Sequence, residues 1–280
     1  MSTSHEISWK HIANELTAGY IGGMAYILAG QPLDIIKVRF QSLNENSIFT
    51  SAKNILYKEG ILAFWKGSFF PLITVGFSNS LLFTSYDYLK MNLKAYRGVD
   101  KTSFLEHFIT GSLAGLVYAS TICPFEHVKI RMQIQQDGGA TSQYKNSIDC
   151  AKQLYSKYGI SGLYKGLTIT CLRELVGCGV YFAVYFYFKD LLQVESSLST
   201  LILGGTSGVI TWNFVFWIDN LKSKIQSDDF IKPVCKGRHF WMNLPYRSLV
   251  AGYIPGMAKS FPSNAANFYA YELTGKYLSE

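Results

Sequence analysis

Pro32-Leu33-Asp34-Ile35-Ile36-Lys37-Val38-Arg39-Phe40-Gln41 places a proline, an acid, two bases and a glutamine in one short register, and the chain repeats it. The second copy is Pro124-Phe125-Glu126-His127-Val128-Lys129-Ile130-Arg131-Met132-Gln133, and a weaker third is Trp217-Ile218-Asp219-Asn220-Leu221-Lys222-Ser223-Lys224-Ile225-Gln226. Lys37, Lys129 and Lys222 fall about 90 residues apart, a register that chance explains poorly and an internal repeat explains well. Each copy has a glycine pair upstream: Gly19/Gly23, Gly111/Gly115 and Gly204/Gly208. A second element follows: Glu59-Gly60 with Phe64-Trp65-Lys66-Gly67, then Tyr158-Gly159 with Leu163-Tyr164-Lys165-Gly166, then a faded Val250-Ala251-Gly252. Tyr86-Asp87, Tyr185-Phe186 and Tyr271-Glu272 close the units. The repeat therefore spans two helices and their connection. It divides one structural domain into residues 1–100, 101–195 and a degenerate 196–280.

The stretches between these motifs are long and nearly free of charge. Residues 16–33, 68–86, 108–125 and 196–218 contain no Asp, Glu, Lys or Arg; 166–188 is broken only by Arg173 and Glu174, and 248–271 only by Lys259. A helix needs about 20 mainly apolar residues to cross a bilayer, so six spans are expected, with both termini on one side. Composition agrees: aromatics reach 15% and charged residues only 16%, against about 25% charged in an ordinary soluble domain. Gly, Ser and Thr within the runs suit close helix packing in a bundle. The net charge of +7 favours anionic lipid or anionic solutes. The five cysteines lack metal-ligand or CxxC spacing and read as unpaired thiols. The segment before Lys10 has neither the apolar core of a secretory signal nor the arginines of a transit peptide.

Proline, acid, two residues, base and a downstream glutamine, twice in full and a third time with Trp217 in place of the proline, resembles the signature of the mitochondrial carrier family. The resemblance covers nearly the whole chain. It implies an all-α membrane protein with six tilted transmembrane helices in three pseudo-threefold repeats, short matrix helices and alternating access between two gates. It also implies the mitochondrial inner membrane, with both termini on the intermembrane-space side. Proline removes a backbone donor and kinks a helix, and acid and lysine at i and i+3 share a face. Asp34, Glu126 and Asp219 are then expected to pair with Lys37, Lys129 and Lys222 of neighbouring repeats as a matrix gate, braced by Gln41, Gln133 and Gln226. The opposite, cytoplasmic gate is implied at Asp87, Lys90, Lys189 and Glu272. It is incomplete, because Phe186 replaces an acid and Gly275 a base.

Thr74, Arg173 and Lys259 stand at the same offset from Gly67, Gly166 and Gly252, so they are expected at one level of a central cavity. Ionisable residues at membrane depth usually face a cavity, which makes a binding role their default reading. Arg173 offers a planar fork for a carboxylate, Lys259 a second cation and Glu174 an acceptor for an ammonium, with Tyr181 and Asn264 as further lining. A small carboxylate-bearing zwitterion fits. Leu172-Arg173-Glu174 with Gly177-Cys178-Gly179 resembles the amino-acid, ornithine and carnitine branch, and looks most like glycine/glutamate carriers. Lys259 stands where such relatives commonly carry arginine.

Helix N-termini receive phosphate readily, so Trp65-Lys66-Gly67 and Tyr164-Lys165-Gly166 are expected to hold an anionic lipid such as cardiolipin. No metal, catalytic site or other cofactor is expected: His5, His11, His107, His127 and His239 show no HExxH or triad-like spacing, and no Walker loop occurs. Dispersed basic residues argue against nucleic acid. The drifted third repeat, with Trp217 in place of proline, leaves an alternative: a carrier-derived structural subunit of a larger inner-membrane assembly.

Overall fold

The computed structural model describes residues 9–42, 47–98, 102–135, 143–193, 197–227 and 253–279. They form six long helices and two short ones: α1 (Trp9–Ser42), α2 (Ile48–Asn54), α3 (Phe69–Arg97), α4 (Phe104–Ile134), α5 (Ser147–Leu163), α6 (Leu167–Leu192), α7 (Ser197–Ser227) and α8 (Tyr253–Ser279). No strand occurs among the described residues. A π turn (Ile55–Glu59) and a 3-10 turn (Ile61–Trp65) continue α2 towards α3.

Local sequence sets these boundaries. Ser103 and Glu106 form a reciprocal capping box at the start of α4, satisfying two orphan amides at once. Asn146 caps α5 by accepting from the Asp149 amide, and Gly98 ends α3 in the left-handed conformation that glycine adopts without a Cβ penalty. Pro32 and Pro124 lie inside α1 and α4, ahead of the charged motif. α7 has Trp217 at that position and no internal proline.

The long helices close into a ring in chain order. α3 packs on α1 and α4, α6 on α4 and α7, and α8 on α1. Trp212 and Phe216 of α7 meet Gly256 and Tyr253 of α8. Because lipid offers helices little hydrophobic reward for meeting, close approach depends on small residues. A Cβ on Gly111 would come within 2.7 Å of the Cys178 carbonyl, and one on Gly115 within 2.5 Å of the Glu174 carbonyl, so α4 and α6 touch backbone to backbone. The matching pair on α7 is looser: a Cβ on Gly208 would meet nothing within 4 Å among the described residues.

Two of the apolar cores lie at one end of the ring, where the short elements of repeats 1 and 2 pack against the motifs of their own repeats. Ile35 and Ile36 pack with Ile55 and Ala63; Val128 and Met132 pack with Tyr144, Cys150 and Leu154. Three helical stretches, Ile61–Arg97, Phe104–Ile134 and Leu167–Leu192, are long and apolar enough to cross a membrane. α1, α7 and α8 are as long, with 34, 31 and 27 residues. They contribute polar and aromatic side chains to the interior: Tyr26, Asp34, Trp212, Asp219, Lys259 and Asn264 all line a central cavity.

Candidate functional site

The cavity has a volume of about 760 Å³ and takes side chains from all six long helices. Thr74 of α3, Arg173 of α6 and Lys259 of α8 all reach it, as the repeat register requires, and so does Asn264. Tyr181 does not: it stacks on Tyr185 and meets Phe182 edge-on, away from the lining. Glu174 is also absent from the lining. Its carboxylate lies behind the cavity wall, bonded to Arg173 and within 3.6 Å of the Cys178 sulfur. Adjacent residues on a helix point about 100° apart, which turns Glu174 towards α4 while Arg173 faces inward.

At one end of the cavity the three repeated motifs converge. No acid bonds the lysine of its own motif; each bonds the lysine of another repeat. Lys129 lies 2.8 Å from Asp34, Lys37 lies 2.5 Å from Asp219, and Lys222 contacts Glu126. The pairs form a closed cycle through α1, α4 and α7. Removing one partner from such a buried pair typically costs about 3–5 kcal/mol, because the other charge is left stranded.

A second layer of cations sits on the same acids. Lys259 is 2.9 Å from Asp34, and Arg173 is 3.1 Å from Glu126 and 3.8 Å from Asp219. With Glu174 included, the described cluster joins five cationic side chains to four carboxylates, an excess of one positive charge. Aromatic faces hold two of these cations: Lys37 lies 4.4 Å from the Trp212 ring centroid, and Lys259 lies 5.5 Å from that of Tyr26. Sequence reasoning missed Tyr26, Tyr118 and Trp212 as lining residues; their only signal was an aromatic ring within an uncharged stretch.

Gln133 and Gln226 are placed differently from a brace on the ion pairs. Gln226 donates to the Lys165 carbonyl at 3.3 Å, and the Gln133 amide makes no hydrogen bond among the described residues. Both instead pack against the turn glycine of the preceding repeat. A Cβ on Gly67 would meet the Lys129 carbonyl at 2.8 Å and Gln133 Cγ at 3.4 Å, and one on Gly166 would meet Gln226 Cγ at 2.9 Å. Both glycines have positive φ, 80° and 82°, so glycine is required there twice over. Gln41 is buried at the end of α1.

In the first of the two elements expected to hold lipid, the polar side chains bond within the protein. Trp65 donates to the Leu28 carbonyl at 3.0 Å, and Lys66 lies 2.5 Å from Glu59, which also takes Arg39. Burial would raise the Glu59 pKa, but hydrogen bonds from Arg39 and Lys66 outweigh it and hold the carboxyl below its ordinary range. Tyr164 and Lys165 close the 3-10-like turn into α6, where the Tyr164 amide bonds the Ile160 carbonyl.

At the far end of the ring no second charge cycle is formed among the described residues. Among the described residues Asp87, Lys90 and Lys189 make no ion pair; Asp87 is exposed. Lys90 lies 4.9 Å from the Phe186 ring centroid and Lys189 5.8 Å from that of Tyr185. Phe186 occupies the place of a missing acid and joins a stack with Tyr86, Phe182 and His107. The side chain of Glu272 lies outside the described residues, as do Val250-Ala251-Gly252.

Three two-helix units around a charged cavity, closed at one end by inter-repeat ion pairs, define a helical membrane carrier. The family described as mitochondrial carrier protein matches residues 8–97, 100–196 and 193–280. The chain belongs to the mitochondrial carrier family, whose members are transporters and not enzymes. It is 32% identical to the glutamate/glycine mitochondrial carrier ymc1 of Schizosaccharomyces pombe, with 94% of each chain covered. It is also 32% identical to the mitochondrial glycine transporter YMC1 of Saccharomyces cerevisiae, covering 95% of this chain and 92% of that one. Identity to the human mitochondrial carnitine/acylcarnitine carrier protein is 31%, over 94% of each. None of these names supports a structural-subunit role.

Proposed function

We propose that this chain carries a small carboxylate-bearing zwitterion, an amino acid or a carnitine-like molecule, across the mitochondrial inner membrane by alternating access. The observation that carries the reading is the double engagement of the ring acids. Arg173 and Lys259, the two cations at the level of Thr74, are bonded to Glu126 and Asp34 in the cavity. A solute carboxylate competes for those same cations. Taking Arg173 leaves Glu126 only Lys222 and Asp219 only Lys37 among the described cations, so binding loosens the ring that seals the cavity. The excess positive charge favours an anionic group, and the released carboxylates then become acceptors for an ammonium. Glu126 serves that role better than Glu174, because it lines the cavity and Glu174 does not.

In this reading Asp34, Lys37, Glu126, Lys129, Asp219 and Lys222 form the matrix gate, and Asp87, Lys90, Lys189 and Glu272 a thin cytoplasmic one. Both termini then face the intermembrane space, and cardiolipin phosphate is received near Gly67 and Gly166. The names of the relatives support amino-acid or carnitine chemistry.

The test is exchange in liposomes preloaded with unlabelled solute, using labelled glycine, glutamate and carnitine. Uptake of one of them that is lost in Arg173→Ala supports the reading. No exchange of any of the three by correctly folded protein overturns the substrate class.

A further inference from the structure

The three bonds of the charge ring are not equivalent, and the inequality follows the solute level. Lys129–Asp34 joins α4 to α1, Lys222–Glu126 joins α4 to α7, and Lys37–Asp219 joins α1 to α7. Lys259 and Arg173 bond Asp34 at 2.9 Å and Glu126 at 3.1 Å, the acids of the two bonds made by α4. Asp219 has Arg173 as its second cation only at the longer distance of 3.8 Å. The third bond has a different support. Lys37 Nζ lies 4.4 Å from the ring centroid of Trp212 and 5.6 Å from that of Phe216, both on α7. The two rings meet edge-on, Phe216 is buried, and Trp212 packs against Gly256 of α8. Counted back from the motif lysines, the equivalent positions are Ile27 and Gln31 in repeat 1 and Ala119 and Cys123 in repeat 2. Among the described residues no ring covers Lys129 or Lys222. The aromatic cover therefore comes from α7, the helix with Trp217 in place of the proline.

We propose that Trp212, backed by Phe216, is a positioning residue of the gate: it holds Lys37 on Asp219, so that the ring opens at the two bonds of α4 while α1 and α7 stay joined as its hinge. The inference rests on the proposed competition of a solute carboxylate for Arg173 and Lys259. An ammonium over an aromatic face is attracted by the ring quadrupole, more strongly where water is excluded, and the face itself keeps water from the ion pair. Withdrawing Arg173 and Lys259 unloads Asp34 and Glu126, whose remaining bonds both involve α4. Asp219 gives up the longest of the three contacts, and its lysine keeps both rings. A bound anion therefore releases repeat 2 from repeats 1 and 3.

The experiment combines unfolding midpoints of the full chain in detergent with exchange in liposomes. Trp212→Leu should lower the midpoint by roughly 3 °C more in the wild type than in Lys37→Gln, because part of its loss needs the ammonium. In Lys129→Gln its loss should equal that in the wild type, and Trp212→Phe should restore most of it. Phe216→Leu, whose ring is farther from Lys37, should show the same coupling more weakly. Lys37→Gln should itself cost more than Lys129→Gln. Equal losses from Trp212→Leu and from Phe216→Leu with and without Lys37, or a larger cost for Lys129→Gln, overturn the clamp. In exchange of labelled glycine, glutamate or carnitine, Trp212→Leu should cut the maximal rate roughly fivefold at unchanged half-saturation, since the ring must re-form in every cycle, and Trp212→Phe should stay close to wild type. A shift in half-saturation at an unchanged maximal rate makes Trp212 a cavity wall and overturns its gate role. A wild type that exchanges none of the three, with the midpoint coupling intact, overturns the solute class and leaves the clamp supported.

Discussion

The Nζ of Lys259 on α8 lies 2.9 Å from the Asp34 carboxylate on α1, which Lys129 of α4 also approaches to 2.8 Å. One carboxylate is thus shared between a cation of the solute level and a cation of the sealing ring. Lys259→Gln removes the first without touching the second. Initial uptake should fall roughly 30-fold, the equivalent of about 2 kcal/mol for losing one partner of a buried charge pair. Lys259→Arg should keep most of the rate, because it retains the charge. Equal rates for Lys259→Gln and wild type in liposomes would remove Lys259 from the binding site.

The ring itself is testable by a double-mutant cycle on Lys37 and Asp219, which lie 2.5 Å apart on α1 and α7. Each single neutral variant, Lys37→Gln or Asp219→Asn, strands a charge and should destabilise by about 3–5 kcal/mol. The double variant should lose clearly less than the sum of the two. Unfolding midpoints in detergent read the difference, and strict additivity would mean that the pair is not coupled.

Glycines that look equivalent in sequence should respond oppositely. Gly115→Ala drives a Cβ into the Glu174 carbonyl and should cost about 1–3 kcal/mol through overpacking of α4 on α6. Gly208→Ala meets nothing within 4 Å and should be neutral or stabilising, by up to about 1 kcal/mol of helix propensity. The same thermal assay checks both, and equal losses at the two positions would contradict the packing described.

Glu59 predicts an acid limit. Its folded pKa is held below the ordinary 4.5 by hydrogen bonds from Arg39 and Lys66. A group whose pKa is depressed on folding contributes stability above its unfolded value and loses it as pH falls through the folded one. Stability of the wild type should therefore drop below about pH 4.5, and Glu59→Gln should be less stable at neutral pH with a flatter acid limb. Midpoints measured from pH 7 down to pH 4 separate the two curves; parallel curves would count against Glu59 as the source.

The sequence made the periodic part of this architecture legible. Helix pairs, the equivalence of Thr74, Arg173 and Lys259, and the charge partners of the ring all follow from register, because threefold-related positions must meet near one axis. Lateral detail does not follow from register. Glu174 is next to Arg173 in the chain yet a quarter-turn away in space, and Tyr181 faces Tyr185 instead of the cavity. Gly208 matches Gly115 in motif but not in contact, since looseness depends on what the neighbouring helix presents. Gln133 and Gln226 lie against glycine turns for a similar reason: their neighbours belong to another repeat, which no single motif encodes. The aromatic lining went unread because a ring in an apolar stretch gives the same signal whether it meets lipid or a cavity.

Gly67 rests on the Lys129 carbonyl, and Gly166 rests on Gln226. Each turn is thereby seated on the rod whose charges it helps to surround. In the proposed cycle, a rotation that parts Lys129 from Asp34 carries that seat along, so neighbouring units are expected to move as meshed cogs rather than as independent flaps.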